Sequence, residues 1–317
     1  MDIPFIHKEK ISSLLPMHEC IDVMEKMFLS IARGECVQPL RSLLMLPDKT
    51  GLLGMMPGYA SSLGIMGIKV ISVFHANREF GLPSHQGVVI LFDGKTGTPL
   101  MIFDAIEITA IRTAAASALA TRLLARKNSE TLAIIGSGEQ AQRHLESITL
   151  VRQIKRVNIW SRTRKNAEEF VKKNSAKFSN ISLKESVKDA VQDADIICTV
   201  TSSSQPIVSS EWIPAGAHIN AVGSSLAARR ELDSELVVKA KLFADYNESI
   251  FNEGGDFLIP KKEGLVNDDH VIADLGELLS GNKPGRSSEE EITVFKSLGF
   301  AAEDIFSAAH IYEKVEK

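Results

Sequence analysis

The chain has 317 residues, 44% hydrophobic and 24% charged, which is the composition of a soluble globular protein and enough length for two domains. Its formal net charge of −4 gives no electrostatic basis for binding nucleic acid or a membrane surface. The sequence shows no signal peptide, no apolar run of the roughly 20 residues that span a bilayer, and no metal-ligand spacing. Its three cysteines form no CxxC pair, so we expect a cytoplasmic protein without disulfides or a catalytic metal.

The N-terminal third predicts a helix followed by sequential strands. Residues 10–34 carry apolar side chains at helical spacing and predict one amphipathic helix. Short apolar runs bounded by Gly, Pro and Asp then predict strands at 42–46, 67–74, 87–94 and 99–104. Asp93-Gly94 is a hairpin signal, and the order of the runs indicates an antiparallel or mixed sheet.

After an Ala-rich helix at 109–126, strands and helices alternate. The predicted strands are 132–135, 157–160, 181–183, 196–200, 218–222 and 241–245, and the predicted helices are 139–152, 167–174 and 185–192. Residues 270–317 are expected to be mostly helical. We therefore predict an α/β protein, with a Rossmann-type doubly wound parallel sheet in residues 116–289 and a mixed α+β domain in residues 1–115.

A dinucleotide-binding fingerprint follows the first predicted strand of the parallel sheet. It reads Gly136-Ser137-Gly138-Glu139-Gln140-Ala141 and leads directly into a predicted helix. Gly136 allows the tight turn, Gly138 allows the backbone to approach a pyrophosphate, and Ala141 lets the helix pack on the strand. The free N–H groups and dipole of the helix N-terminus favour the phosphates. The turn therefore predicts a nicotinamide dinucleotide as cofactor.

The end of the second strand predicts which nicotinamide dinucleotide binds. NAD-binding domains usually place a carboxylate there for the ribose 2′-hydroxyl, whereas this chain has Ser161-Arg162-Thr163 after Trp160. Arginine and hydroxyl groups suit a 2′-phosphate, so NADP(H) is favoured, with NAD(H) as the alternative cofactor. The competing interpretation is that these are solvated charges on an exposed turn.

Three cationic residues stand at the edges of predicted elements in the first domain. Arg41 precedes the run 42–46, Lys69 interrupts an apolar strand, and Arg112 lies early in the Ala-rich helix. A charge inside a strand is costly unless it is paired or faces a solvated cleft. Each alone is most simply a surface charge or a structural ion pair. Together with a nicotinamide site, they suggest a pocket for a substrate that carries a carboxylate.

The sequence resembles the ornithine cyclodeaminase/mu-crystallin family along essentially the whole chain. The resemblance is carried by SHQGVVILFD at 84–93, DAIEITAIRTAAAS at 104–117, IIGSGEQA at 134–141, INAVG at 219–223 and TVFKSLG at 293–299. It implies a homodimer whose first domain, completed by a C-terminal helix at about 290–317, binds substrate and pairs subunits through its sheet.

The resemblance also implies roles for individual residues. Those matching Arg41 and Arg112 hold the substrate carboxylate, and the one matching Lys69 sits beside the reacting carbon–nitrogen bond. The segment matching Ser84, together with Arg112 and Thr113, reaches the cofactor.

One departure from the family pattern bears on the reaction. Cyclodeaminases of this family carry an Asp shortly after the strand that matches residues 219–222, and Ser225 stands at that position here. Serine cannot act as a carboxylate base near neutral pH, which makes ornithine deamination doubtful. Ketimine reductases and pyrroline-2-carboxylate reductases of the same family tend to lack that Asp.

The predicted activity is the reduction of a cyclic 2-imino acid by hydride transfer from NADPH to a C=N bond. Arg41 and Arg112 would orient the substrate carboxylate, Lys69 would bind it or manage the imine proton, and Ser225 would hydrogen-bond the ring or a water. Three other activities stay open: ornithine or lysine cyclodeamination, an open-chain imino-acid reductase or amino-acid dehydrogenase, and a non-catalytic crystallin-like protein that retains NADP(H).

Overall fold

The computed structural model of the chain describes residues 2–316, apart from the side chains of His75 and Arg78. It divides into two compact units. The first runs to Thr113 and resumes at Phe300, and the second comprises Ala114–Gly299.

The first unit contains a mixed sheet, as predicted. Its strands are β1 (Phe5–Ile6), β2 (Cys36–Val37), β3 (Ser42–Met45), β4 (Leu52–Ala60), β5 (Ile65–Val73), β6 (His85–Asp93) and β7 (Pro99–Asp104). They lie in the order β1-β7-β6-β5-β4-β2, with β3 also paired to β4. Only the β1–β7 pairing is parallel among the described strands of this sheet.

Strand β4 is absent from the sequence prediction because Gly54, Pro57 and Gly58 interrupt its pattern. Proline cannot donate a ladder hydrogen bond, and inside sheets it is tolerated only where the neighbouring strand is missing. Along one side of β4, β3 pairs with residues 52–55 and β2 pairs with residues 59–60. Pro57 falls in the gap between these two partners, so the strand continues through it.

Helices cover one face of this sheet. The C-terminal helix (Ala301–Val315) packs on β4, β5 and β6, and α2 (Met17–Ala32) packs on that helix, while α1 (Lys8–Leu14) packs on β7. Helix α3 (Ala105–Leu124) follows β7 directly, and its first half belongs to this unit. At Gly67 in β5, an added Cβ would lie 2.9 Å from Ile305, so glycine allows the C-terminal helix to approach the strand closely.

The single helix predicted at 10–34 was wrong, because the chain breaks between α1 and α2. Pro16 is the N-cap of α2. Its missing N–H and its ring exclude it from a helix interior, but both are tolerated at a helix start.

The second unit is the predicted Rossmann-type sheet. Its eight strands are β8 (Thr131–Ile135), β9 (Arg156–Trp160), β10 (Ile181–Leu183), β11 (Ile196–Thr199), β12 (His218–Ala221), β13 (Lys241–Ala244), β14 (Val271–Asp274) and β15 (Thr293–Lys296). All described pairings are parallel, in the order β10-β9-β8-β11-β12-β15-β13-β14. The strand order reverses at β8, where an open α/β sheet binds its ligand.

Seven helices of the second unit connect these strands. They are α4 (Glu139–Val151), α5 (Arg164–Asn174), α6 (Val187–Val191), α7 (Ser234–Lys239), α8 (Asn247–Glu253), α9 (Gly255–Lys262) and α10 (Leu275–Leu279). Within residues 2–316, no helix is both long and apolar enough to cross a bilayer.

The expectation that 270–317 is mostly helical was wrong for two segments. Val271–Asp274 and Thr293–Lys296 are strands, and the second lies between β12 and β13 near the middle of the sheet. All four residues of β15 are buried, so its sequence has no alternation between apolar and polar faces. A four-residue run of this kind cannot be assigned to strand or helix by periodicity.

Candidate functional site

Lys69 is buried at the centre of the first unit. It lies on β5 with 3% of its side chain exposed, and its Nζ is 2.6 Å from Asp304 Oδ2 on the C-terminal helix. Asp304 is fully buried. An unpaired ammonium would be very costly here, so the carboxylate is required by the burial of the lysine.

Arg112 joins the same cluster from α3. Its Nε donates to Asp304 Oδ1 at 3.0 Å, and its Nη1 pairs with Glu303. The start of α3 is fixed by Asp104, whose side chain accepts hydrogen bonds from the N–H groups of Ile106 and Glu107. This N-cap sets the register of the helix, and with it the direction in which Arg112 points.

Glu303 and Asp304 are functional candidates that the sequence interpretation missed. They occupy the first turn of the C-terminal helix, where the helix dipole favours carboxylates. Both are fully buried. The available signal is the pair of adjacent acids, Glu303 and Asp304, among apolar residues at the start of the final helix.

The three predicted cations act on one another in the structure. The pKa of Lys69 is lowered to about 8, chiefly by burial and in part by Arg112 and Arg41, while the carboxylate of Asp304 opposes the shift. Arg41 is half-buried and precedes β3. The structure therefore brings cationic side chains from two other segments close to Lys69, and cationic side chains attract anionic ligands.

Ser84 and Thr113 are the two residues of the first unit that are predicted, with Arg112, to reach the cofactor. Ser84 is half-buried directly before β6, its Oγ lies 3.0 Å from His85 Nδ1, and its carbonyl accepts the N–H of Phe74. Thr113 is buried beside Arg112 on α3. Their contact with a cofactor stays a prediction.

The fingerprint turn of the second unit has the backbone that a dinucleotide needs. Gly136 has φ of +130°, and a Cβ on it would lie 2.7 Å from the carbonyl oxygen of Val200. Gly138 is the N-cap of α4, with no side-chain cap, and a Cβ on it would meet nothing within 4 Å. No side chain therefore caps the first turn of α4, which suits an anionic group.

The remaining fingerprint residues connect the turn to its surroundings. The Ser137 hydroxyl donates to Ser161 Oγ at 2.9 Å, which ties the turn to the end of β9. Glu139 is exposed and pairs with Arg143 one helical turn later, at 3.3 Å. The carbonyl of Gln140 accepts a hydrogen bond from the buried ring of His144.

The two arginines of the turn after β9, Arg162 and Arg164, differ in their contacts. Arg164 is held by Glu168 at 2.9 Å and by Glu185 at 2.6 Å, so it is a structural residue of α5. Arg162 and Thr163 are exposed, and the Thr163 side chain makes no capping bond to α5. Within 2–316, Arg162 forms no ion pair with another side chain. It is the better candidate for a phosphate on the cofactor.

Ser225 lies half-buried in the loop that follows β12. Its neighbour Ser224 is buried, donates from its hydroxyl to the carbonyl of Arg229 at 2.8 Å, and accepts from Lys296 Nζ at 2.5 Å. The hydrogen bonds of Ser224 therefore fix the loop immediately before Ser225. The role of Ser225 itself stays a prediction.

A second buried cluster, also missed by the sequence interpretation, braces this loop. Lys296 on β15 lies 2.8 Å from Asp256 Oδ2, while Asp256 Oδ1 accepts the N–H groups of Glu231 and Leu232. Glu231 accepts the Thr199 hydroxyl at 2.7 Å and the N–H of Gly223 at 2.8 Å. Burial raises the pKa of Glu231. Through Glu231, these contacts connect the end of β11 to the loop after β12.

Comparison with known proteins identifies one family and similar relatives in it. The sequence model of the ornithine cyclodeaminase/mu-crystallin family matches residues 3–317. The mouse protein named ketimine reductase mu-crystallin is 41% identical over 280 residues, covering 88% of this chain and 86% of its own.

Two solved structures are similar over nearly their whole length. The Thermococcus litoralis Δ1-pyrroline-2-carboxylate reductase, in complex with NADH and L-proline, superposes with a TM-score of 0.96 at 38% identity and covers 99% of this chain and 98% of its own. An archaeal alanine dehydrogenase, described as a dimer with bound NAD, gives a TM-score of 0.94 at 33% identity, over 100% and 97% of the two chains.

Proposed function

The chain belongs to the ornithine cyclodeaminase/mu-crystallin family, and we propose that it is the reductase of a cyclic 2-imino acid. It is an oxidoreductase that acts on C=N bonds with a nicotinamide cofactor, as are the relatives named ketimine reductase and pyrroline-2-carboxylate reductase. The substrates we propose are Δ1-pyrroline-2-carboxylate and Δ1-piperideine-2-carboxylate, and the products are proline and pipecolate. The observation that carries the proposal is the buried cationic cluster of Lys69 and Arg112.

In this mechanism the substrate carboxylate is bound by arginine. Glu303 and Asp304 fix the orientation of the Arg112 guanidinium, a planar group suited to carboxylates, and Arg41 adds a second guanidinium. Holding the substrate in one orientation supplies much of the rate acceleration in a reaction between two bound molecules.

Lys69 manages the proton that the imine nitrogen requires. The nicotinamide, when bound, supplies a hydride to the imine carbon, and protonation of the nitrogen makes that carbon electrophilic. With its pKa lowered to about 8, Lys69 is charged at neutral pH and still able to release a proton. Ser225 would hydrogen-bond the ring nitrogen or a water.

For the cofactor we propose NADP(H), held by the turn of Gly136 to Gln140 and by Ser161, Arg162 and Thr163. The support is an exposed arginine and two hydroxyls at the end of β9, with no carboxylate at residues 161–165. NAD(H) is the alternative, since the T. litoralis relative was solved with NADH. We expect KM for NADPH to be about tenfold below KM for NADH, because an arginine–phosphate pair is a charge-assisted hydrogen bond. A lower KM for NADH would remove this part of the proposal.

We further propose a homodimer formed through the sheet of the first unit. Large apolar side chains are exposed on β3 (Leu43, Leu44, Met45), and adjoining exposed apolar side chains of this kind mark a protein interface. The alanine dehydrogenase relative is described as a dimer. Sedimentation equilibrium should give twice the chain mass of 34.7 kDa, and a mass of 34.7 kDa would contradict the proposal. We also propose a cytoplasmic location, which is consistent with three cysteines that form no disulfide bond.

The test of the activity is a screen of NADPH oxidation with the purified chain. The panel contains both cyclic imines, pyruvate and other oxoacids with ammonia or methylamine, and a parallel assay follows ammonia release from ornithine and lysine. We expect turnover with the cyclic imines. Ammonia release would indicate a cyclodeaminase, and turnover with oxoacid–amine mixtures alone would indicate an open-chain reductase. Tight NADPH binding without any turnover would indicate a binding protein.

A further inference from the structure

Asp304 is placed to control two cations at once. Its Oδ2 lies 2.6 Å from Lys69 Nζ and its Oδ1 lies 3.0 Å from Arg112 Nε. The three side chains come from β5, α3 and the C-terminal helix, and none is more than 4% exposed. One carboxylate therefore fixes the spacing between the ammonium and the guanidinium.

We propose that Asp304 is a positioning residue for imine reduction, which fixes the spacing of Lys69 and Arg112 and keeps Lys69 protonated until its proton passes to the imine nitrogen. This inference rests on the proposed function, since it assigns how the same site is tuned. It adds to that function a residue that acts through another and need not touch the substrate.

The electrostatics of the cluster give Asp304 this control. The charged groups that act most strongly on Lys69 are Asp304 from the C-terminal helix, Arg112 from α3 and Arg41 from the segment before β3. Asp304 is the only carboxylate among these three. Its removal would leave a buried lysine facing two guanidinium groups, and the pKa of Lys69 would fall further below its ordinary value.

The proton balance of the step fits this arrangement. The imine carbon is reduced by a hydride while the nicotinamide is oxidised, and the imine nitrogen takes one proton from Lys69 Nζ. Lys69 is left neutral beside Asp304 and regains its proton from water. Asp304 takes no part in the proton transfer, and its side chain stabilises the charged lysine at the start and end of each cycle.

The neighbouring carboxylate offers a matched control. Glu303 is equally buried and pairs with Arg112 Nη1. Asp304→Asn and Glu303→Gln therefore each remove one buried negative charge next to Arg112, but only the first removes the partner of Lys69. A difference between the two variants reports on Lys69.

The experiment measures the pH dependence of cyclic imine reduction for the full chain, Asp304→Asn, Asp304→Glu and Glu303→Gln. For Asp304→Asn we expect kcat at pH 8 to fall by about 100-fold and the alkaline limb of the profile to move at least about one pH unit toward acid. Glu303→Gln should mainly raise KM for the imine and leave the limb in place. Asp304→Glu keeps the negative charge but moves it, so the limb should return to its wild-type position while kcat stays below that of wild type. An unmoved alkaline limb in Asp304→Asn, or the same movement in Glu303→Gln, would overturn the proposal.

A second measurement separates failure of this inference from failure of the proposed function. The titration of the Lys69 ¹³Cε signal in lysine-labelled protein needs no substrate. We expect its midpoint to be at least about one pH unit lower in Asp304→Asn than in wild type, because the opposing charge is lost. If Asp304→Asn does not fold, the comparison is made between wild type and Asp304→Glu, which keeps the charge and moves it. In that case an unchanged kcat in Asp304→Glu would overturn the positioning role.

Discussion

Two buried lysine–aspartate pairs, one in each unit, are alike in distance and differ in their surroundings. Lys69 lies 2.6 Å from Asp304 in the first unit, and Lys296 lies 2.8 Å from Asp256 in the second. All four side chains are at most 3% exposed. A buried ion pair therefore does not by itself mark a functional site, and the neighbours of each pair determine its role.

The Lys296 pair is surrounded by groups that the fold itself supplies. Lys296 also donates to a backbone carbonyl, and Asp256 also accepts two backbone N–H groups. The Lys69 pair is instead surrounded by further charged side chains, Arg112 with its partner Glu303, and Arg41. A buried pair that is surrounded by further charged side chains, and not by backbone groups, is therefore the better candidate for a ligand site.

The comparison predicts that the largest effect on activity comes from the Lys69 cluster. Lys69→Met and Arg112→Met should each lower kcat/KM for cyclic imines by about 1000-fold, because each removes a charged group aimed at the substrate. The measurement is steady-state NADPH oxidation, with NADPH affinity by fluorescence titration as the control. Turnover like that of wild type in both variants would remove these residue assignments.

Lys296→Met should lower the stability of the fold, whereas Lys69→Met should lower the activity. Removing one partner of a buried pair leaves an uncompensated charge, and we expect the free energy of unfolding to fall by about 3–5 kcal/mol. Urea unfolding followed by circular dichroism measures this. The double variant Lys296→Met/Asp256→Leu should recover part of the loss. A variant with an unchanged unfolding midpoint but no activity would reverse the roles given to the two pairs.

The depressed pKa of Lys69 predicts a pH dependence of stability. Lys69 has a pKa of about 8 in the folded chain and near its ordinary value of 10.5 in the unfolded chain, so between these pH values the unfolded chain binds more protons. The free energy of unfolding of wild type should therefore rise by about 3 kcal/mol from pH 8 to 10.5 relative to Lys69→Met. Parallel stability curves for the two proteins would show that Lys69 titrates normally.

Gly136→Ala should give the smallest effect on stability and a specific effect on cofactor binding. The φ of +130° and the contact of 2.7 Å with Val200 make any side chain strained, at a cost of about 1–3 kcal/mol. NADPH affinity should fall by about tenfold or more as the turn shifts. Gly138→Ala has open space for its Cβ and is the matched control for folding. Equal NADPH affinity in Gly136→Ala and wild type would contradict the role of the turn.

The sequence predicts the parts of the molecule that depend on neighbouring residues. The parallel sheet, the turn at Gly136 and the three cations Arg41, Lys69 and Arg112 all follow from local patterns. The carboxylates that pair with these cations do not, because Arg112 and Asp304 are 192 positions apart. Strand β15 was missed for a similar reason, since only its place between β12 and β13 distinguishes it from a helix.

The most direct test of the account follows the hydride itself. The chain is incubated with Δ1-piperideine-2-carboxylate and NADPH that carries two deuterium atoms at C4 of the nicotinamide, and the product is analysed by mass spectrometry. We predict pipecolate with one deuterium at C2, because the hydride passes directly to the imine carbon. Pipecolate without deuterium at C2, or no pipecolate while ornithine or lysine releases ammonia, would contradict the assignment of this chain as a cyclic imino-acid reductase.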